Sequence, residues 1–240
     1  MQHRPKDNRR VKSQGLFITL EGIDGVGKST QLRLLASAFR ERGCRVCVSR
    51  EPGGTHIGEQ IRRVLLASRN TQLAALSELA LMYAARAQHL HEVVRPALAR
   101  GEIVLSDRFN DASFAYQGYG RRLGAAAVRA LDRIICGATQ PDLTLLLDMA
   151  PRVALQRATI RENRIKSRHR RFEIAGLNFQ ERVREGYLAI ARRNPKRVMV
   201  VNADRSIEEV QDEIRRIVYR FLRRRRGARK GEWHPAKGPM

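Results

Sequence analysis

Apolar positions along this chain follow two rhythms. Short, mostly apolar runs at 16–20, 45–49, 103–106, 143–147 and 198–201 have the length of strands, and between them apolar side chains recur every three or four residues. Leu32, Leu34, Leu35, Ala38 and Phe39 form such a stripe in a helix expected over 31–42 and ended by Gly43. The same spacing predicts helices over 57–67, over a long region 71–99 bent or split near Pro96, and over 125–137, 179–193 and 207–222. Pro151 suits the first turn of another helix that runs into a basic segment. Buried apolar strands alternating with helices predict an α/β fold, a five-stranded parallel sheet with helices on both faces. There is no internal repeat.

A sheet of this kind binds ligands outside the carboxyl ends of its strands, and the chemically distinctive residues fall there. Gly22, Ile23, Asp24, Gly25, Val26, Gly27, Lys28 and Ser29 satisfy the pattern G-x-x-x-x-G-K-[ST] between the first strand and a helix that continues through Thr30. Glycines at this spacing let backbone N–H groups close around phosphate oxygens, and the helix N-terminus adds its positive dipole end. Lys28 would reach the β- and γ-phosphates and the Ser29 hydroxyl would ligate Mg²⁺. Arg50-Glu51-Pro52-Gly53-Gly54 follows the second strand and Asp107-Arg108 the third. Arginines aimed at a nucleoside triphosphate site imply an anionic second substrate, because guanidinium matches phosphate with two parallel hydrogen bonds. Arg50, Arg86 and Arg108 are the candidates.

Charge adds a second theme. The net charge of +23 is concentrated: five Lys/Arg stand against one Asp in 1–14, seven against one Glu in 157–171, and seven against one Glu in 223–240, so three segments hold +16. The first and last read as basic tails, the latter without a core-forming pattern and expected to be disordered. The P-loop domain is expected over 15–222. Basic tails can contact nucleic acid by counterion release, or simply be solvated. No stretch has the roughly 20 apolar residues that span a bilayer, and the basic N-terminus is not followed by an apolar leader, so a cytoplasmic, soluble protein is expected. The three cysteines include Cys44 and Cys47, but that pair lies along a strand rather than in a turn that could fold around zinc.

Seven sequence elements occur in an order and spacing that resemble thymidylate kinases, which convert dTMP to dTDP. They are the segment from Leu20 to Thr30, Arg50 to Thr55, Tyr83-Ala84-Ala85-Arg86, Asp107-Arg108-Phe109, Ala115-Tyr116-Gln117-Gly118, Pro141-Asp142-Leu143-Thr144 and Arg171-Phe172-Glu173. The resemblance covers about 16–222. It implies a P-loop fold, ATP and dTMP as substrates, Mg²⁺, and a homodimer, for which 73–81 offers a candidate surface. It implies further that Asp24 lies near the acceptor's sugar and phosphate and the metal, and that Arg108 holds the acceptor phosphate. Arg86 would contact the acceptor near its base, with Arg50 and Pro52 lining the pocket. Tyr116 would press on the sugar's 2′ position, with Ser113 and Gln117 on the segment facing the base. Asp107 would serve Mg²⁺, directly or through water; the alternative for it is a helix cap. The transfer is in-line, and the acceptor phosphate, with a second pKa of about 6, needs no general base.

Similar enzymes place a cation over the phosphoryl groups either from the P-loop or from a lid. Gly25 stands where the first type carries arginine, so a lid at about 157–176 must supply the charge, with Arg161 and Arg164 favoured and Arg157 behind them. Two positions depart from the family pattern: Met82 replaces an aromatic ring that stacks on thymine, and Arg170 replaces an Asp. Two other readings stay open, a kinase of another (deoxy)nucleoside monophosphate and a P-loop protein that binds nucleic acid through its basic segments. The acceptor-pocket residues Arg50, Asp107, Arg108, Tyr116 and Gln117 discriminate against the last.

Overall fold

A strand between two parallel neighbours, with helices on both faces, has no solvent side, and β1 (Leu16–Glu21) is buried along its full length. The computed structural model describes residues 15–67, 70, 72–164 and 171–228. β1 pairs with β3 (Ile103–Asp107) on one side and β4 (Leu143–Asp148) on the other. β2 (Val46–Arg50) and β5 (Val198–Asn202) form the edges, giving the all-parallel order β2-β3-β1-β4-β5. Leu16, Ile18 and Leu20 point to one face and join the cluster made with Leu32, Leu35 and Phe39 of α1 (Lys28–Arg40) and Val210, Ile214 and Val218 of α10 (Ile207–Ala228). Phe17 points to the other face, against Leu79 and Tyr83 of α3 (Ala75–His89) and Val128 of α6 (Ala125–Ile135).

The five expected strands are present, and each ends one residue later than its apolar run, on Glu21, Arg50, Asp107, Asp148 or Asn202. Parallel hydrogen bonding continues onto these polar residues: Arg50 pairs with Asp107, and Asp148 with Asn202. α2 (His56–Leu66) begins with the Thr55 hydroxyl capping the N–H of Gly58. The long helix expected over 71–99 is interrupted near Pro96, as expected. It becomes a π-helical segment at Leu90–Val94 before α4 (Arg95–Ala99), a wider turn placed where Pro96 withdraws an N–H and crowds the preceding carbonyls. After α5 (Asn110–Ser113), a second π-helical segment, Phe114–Gly120, carries Tyr116 and Gln117.

The C-terminal expectation needs correction. α10 does not stop at 222 but runs to Ala228, because Arg223 to Arg226 are good helix formers and Arg225 docks on Asp142 at 2.7 Å. That run is therefore helical rather than part of a disordered tail; the rest of the expected tail, 229–240, lies outside the described residues, as does the N-terminal tail 1–14. Pro151 opens α7 (Pro151–Arg164) as expected, and α8 (Arg171–Ile174) precedes α9 (Leu177–Arg193).

α9 lies against the second π-helical segment at close range. A Cβ on Gly186 would stand 2.8 Å from the Tyr119 ring, and one on Gly120 would stand 2.7 Å from Phe179. Gly186→Ala should lower unfolding free energy by about 1–3 kcal/mol through overpacking, as measured by denaturant titration. An unchanged midpoint would show that this contact does not set the helix spacing.

Candidate active site

The turn after β1 is shaped by glycines in backbone conformations that side chains resist. Gly25 has φ 90° and Gly27 has φ 92°. Gly27 precedes α1, whose N-terminus has no side-chain cap and no acidic residue in its first turn, leaving its backbone N–H groups for an anion. Lys28 arches back over the loop, its Nζ donating to the carbonyls of Gly22 (3.1 Å) and Ile23 (2.8 Å). Burial, and then the charge of Arg108, pull the Lys28 ammonium down to about 8. The Ser29 hydroxyl donates to Asp107 Oδ2 at 2.6 Å, joining the P-loop helix to the end of β3.

Arg108, the next residue, has φ 73°. Its guanidinium donates to Gly22 O (2.8 Å), Asp24 Oδ1 (2.8 Å), the Tyr116 hydroxyl (2.9 Å) and the Tyr187 hydroxyl (2.9 Å). The Tyr116 hydroxyl donates in turn to Asp24 Oδ2 at 3.1 Å. Burial alone would push the Asp24 carboxyl up, but Arg108 and then Lys28 outweigh it and hold Asp24 at about 2. A charged carboxylate therefore fixes the arginine to which the resemblance gives the acceptor phosphate.

These groups open onto a cleft of about 470 Å³ at the carboxyl ends of the strands. Asp24, Gly25, Gly27, Lys28, Ser29 and Thr30 line one wall; Arg50, Glu51, Asp107 and Arg108 line the facing one. Arg62 and Arg157 complete it. Arg62 was not legible as a site residue in the sequence; α2 brings it there, and it donates to Pro52 O at 2.8 Å. Arg157, expected behind the favoured lid arginines, itself lines the cleft and reaches Asp204 at 3.3 Å. The side chains of Arg161 and Arg164 lie outside the described residues. Arg50 stays half-exposed and pairs with Glu59 at 2.9 Å.

The remaining expected residues form a layer behind the cleft. Arg86 is buried, and it donates to Glu51 (2.7 Å), Ser113 (3.0 Å) and Phe109 O (3.0 Å). Glu51 is also bonded to His89 at 2.8 Å, and His89 to Ser49 at 2.6 Å. Met82, one turn before Arg86, packs on the cluster that holds Tyr116 and Phe172. Gln117 donates to Glu78 Oε1 at 2.6 Å. Glu78 is wholly buried and also accepts from Arg121 (3.1 Å) and Arg171 (2.5 Å). One carboxylate thus holds both Gln117 and the last residue of the basic segment.

Glu78 and Tyr187 carry no motif, and Glu21, though inside the Leu20–Thr30 element, was given no role. The available signal was a carboxylate inside an otherwise apolar stretch, which is buried only when it has partners. Glu21 accepts from the Phe109 N–H at 2.7 Å and the Tyr187 hydroxyl at 2.8 Å. Burial, and then Asp111, push its carboxyl up to about 8.

Comparison with known proteins bears on this geometry. The family model described as thymidylate kinase matches residues 20–214. A thymidylate kinase of Pseudomonas putida (strain GB-1) is 47% identical over 213 residues, covering 89% of this chain and 99% of that protein. One of Teredinibacter turnerae is 45% identical over 208 residues, covering 87% and 99%. The crystal structure of thymidylate kinase from Ehrlichia chaffeensis superposes with a TM-score of 0.69 at 32% identity, covering 86% of this chain and 99% of that one.

Two outcomes follow from the loop and its surroundings. A Cβ on Gly25 would meet the Ala154 carbonyl oxygen of α7 at 2.0 Å, whereas one on Gly27 meets nothing within 4 Å. Gly25→Ala should therefore cost about 2–4 kcal/mol of stability and Gly27→Ala only the backbone strain, about 1 kcal/mol; equal costs in denaturant titrations would contradict the α7 contact. Glu21 binds its proton more tightly folded than unfolded, so its contribution to stability is full below about 4.5 and is lost as pH rises through about 8. Glu21→Gln should flatten that decline in unfolding free energies measured across the same range.

Proposed function

The chain belongs to the thymidylate kinase family, and on that premise we propose how its cleft works. The enzyme transfers the γ-phosphoryl group of ATP to dTMP, giving dTDP and ADP. The observation that carries the site assignment is the joining of two chemistries in one cleft, a phosphate-binding loop on one wall and arginines at the ends of β2 and β3 on the other.

ATP places its phosphates on the loop, where the backbone N–H groups of the α1 N-terminus and the Lys28 ammonium meet them. The acceptor phosphate lies on the facing wall, taken by Arg108 with Arg50 and Arg62 beside it. Asp24 and the two tyrosines keep the Arg108 guanidinium in place before substrate arrives, so little reorganisation is left for the reaction. Arg157 adds positive charge from α7, on the side of the lid, and Arg161 and Arg164 are the further lid candidates.

The hard oxygens of Ser29 and Asp107, already 2.6 Å apart, suit Mg²⁺, which is commonly held by one or two protein oxygens together with substrate phosphates. When bound, Mg²⁺ neutralises charge on the β- and γ-phosphates. The acceptor's base would lie toward Met82, Ser113 and Gln117, with Arg86 fixing Ser113 from behind. Tyr116, whose ring is packed by Phe172, Phe179 and Tyr187, is the residue set against the sugar.

A homodimer is supported by exposed Ile57 and Val64 on α2, Leu76 on α3 and Ile134 on α6. Among the described residues no helix is long and apolar enough to cross a membrane. Cys44, Cys47 and Cys136 form no disulfide, which suits a reducing cytoplasm.

A coupled assay for ADP formation across dTMP, dUMP, UMP, dCMP and thymidine tests the reading. Turnover should be greatest with dTMP, and Lys28→Ala should lower kcat at least ~100-fold, the scale of losing a charge-stabilising donor. Near-normal activity in that variant, or preference for thymidine, would overturn it.

A further inference from the structure

The charge that catalysis does not use is organised. α10 begins with Glu208, Glu209, Asp212 and Glu213, and then carries seven arginines and no acidic residue from Arg215 to Arg226. Val210, Ile214 and Val218 face the core. Arg216, Arg220, Arg223 and Arg224 recur at helical spacing on the outer side and are exposed. With Tyr219 they line a groove of about 510 Å³. Tyr219 is 59% exposed, and the Arg223 guanidinium lies 5.9 Å from its ring centre. Among the described residues none of these four arginines pairs with a carboxylate.

Their position separates them from the nucleotide cleft. Arg225, next after the outer arginines, turns inward to Asp142 and to Gly15 O. Gly15 and Asp142 precede β1 and β4, so this end of α10 sits at the amino ends of the strands, opposite the P-loop. The five Lys/Arg of residues 1–14 join the chain at that same Gly15. The match to the family model ends at residue 214, one position before the arginines begin.

We propose that this outer face of α10 is a binding surface for single-stranded nucleic acid. Arginine forks at successive helical turns suit a run of phosphates. A membrane surface would call for apolar residues beside the arginines, and the groove has a single ring instead. An exposed tyrosine among arginines is a stacking platform for an unpaired base, which a duplex would not offer.

The full-length protein would be titrated with a fluorescent 20-nucleotide single strand, a duplex of the same sequence, and vesicles containing anionic lipid. Expected is preferential binding of the single strand, with a log–log salt slope of about −3 for four phosphates contacted. Replacing Arg216, Arg220, Arg223 and Arg224 together by Glu should weaken binding at least ~100-fold, and Tyr219→Ala about tenfold. Both variants should keep the parent's kcat and KM for dTMP and its thermal midpoint, which reports that they fold. No binding of the single strand by the parent at 0.1 M salt would overturn the proposal. So would equal binding by the fourfold variant, or tighter binding to duplex or vesicles with no effect of Tyr219→Ala.

Discussion

The site depends on one residue held in an unfavourable backbone conformation. Arg108 sits at φ 73°, which costs a side chain with a Cβ about 1–2 kcal/mol and persists because its surroundings over-determine it. Its N–H donates to Leu20 O (3.0 Å), its carbonyl accepts from Ser106 Oγ (2.7 Å), and the following N–H is taken by Glu21. The reversal sends the side chain from the end of β3 across the end of β1, where Gly22, Asp24, Tyr116 and Tyr187 converge on it. The P-loop, the π-helical segment and α9 thereby share one guanidinium. Glu21 grips the turn from below and Tyr187 from the side, so the position of Arg108 depends on the central strand as much as on its own.

Burial acts on the site's charges in one direction, and the neighbours decide which charges survive. Lys28 is drawn down and Glu21 up, each toward its neutral form. Asp24 resists because two cations face it, and Arg86 stays charged because Glu51 accepts its Nε–H at 2.7 Å. The layer behind the cleft therefore holds buried, paired charges, while Arg50 and Arg157, in the cleft lining, have half-exposed partners in Glu59 and Asp204.

The sheet was legible because its central parallel strands are mostly apolar and buried, but each strand end was read one residue short. Hydropathy stops at the last apolar side chain; hydrogen bonding goes on to Glu21, Arg50, Asp107, Asp148 and Asn202. Arg50 and Asp107 line the cleft, so at these two strands the boundary error falls on residues of the candidate site. Motif spacing found the P-loop, Asp107 and Arg108. It could not find Glu78 or Arg62, whose roles exist only once α3 and α2 have packed. The first π-helical segment escaped notice because nothing in local preference separates it from α-helix; the second, together with α5, lies where no helix was expected. The arginines past residue 222 were taken for a tail because the apolar stripe ends there, although Arg225 still has Asp142 to hold.

Gly25 entered as a position lacking a cation, and the fold supplies a cause. Its place beside the Ala154 carbonyl leaves no volume for a side chain, since the backbone of α7 occupies it. A loop cation and a helix seated here are mutually exclusive tenants. A descendant of this protein could not move its phosphate-binding charge into the loop by changing that codon alone; the helix would have to withdraw first, taking Arg157 with it.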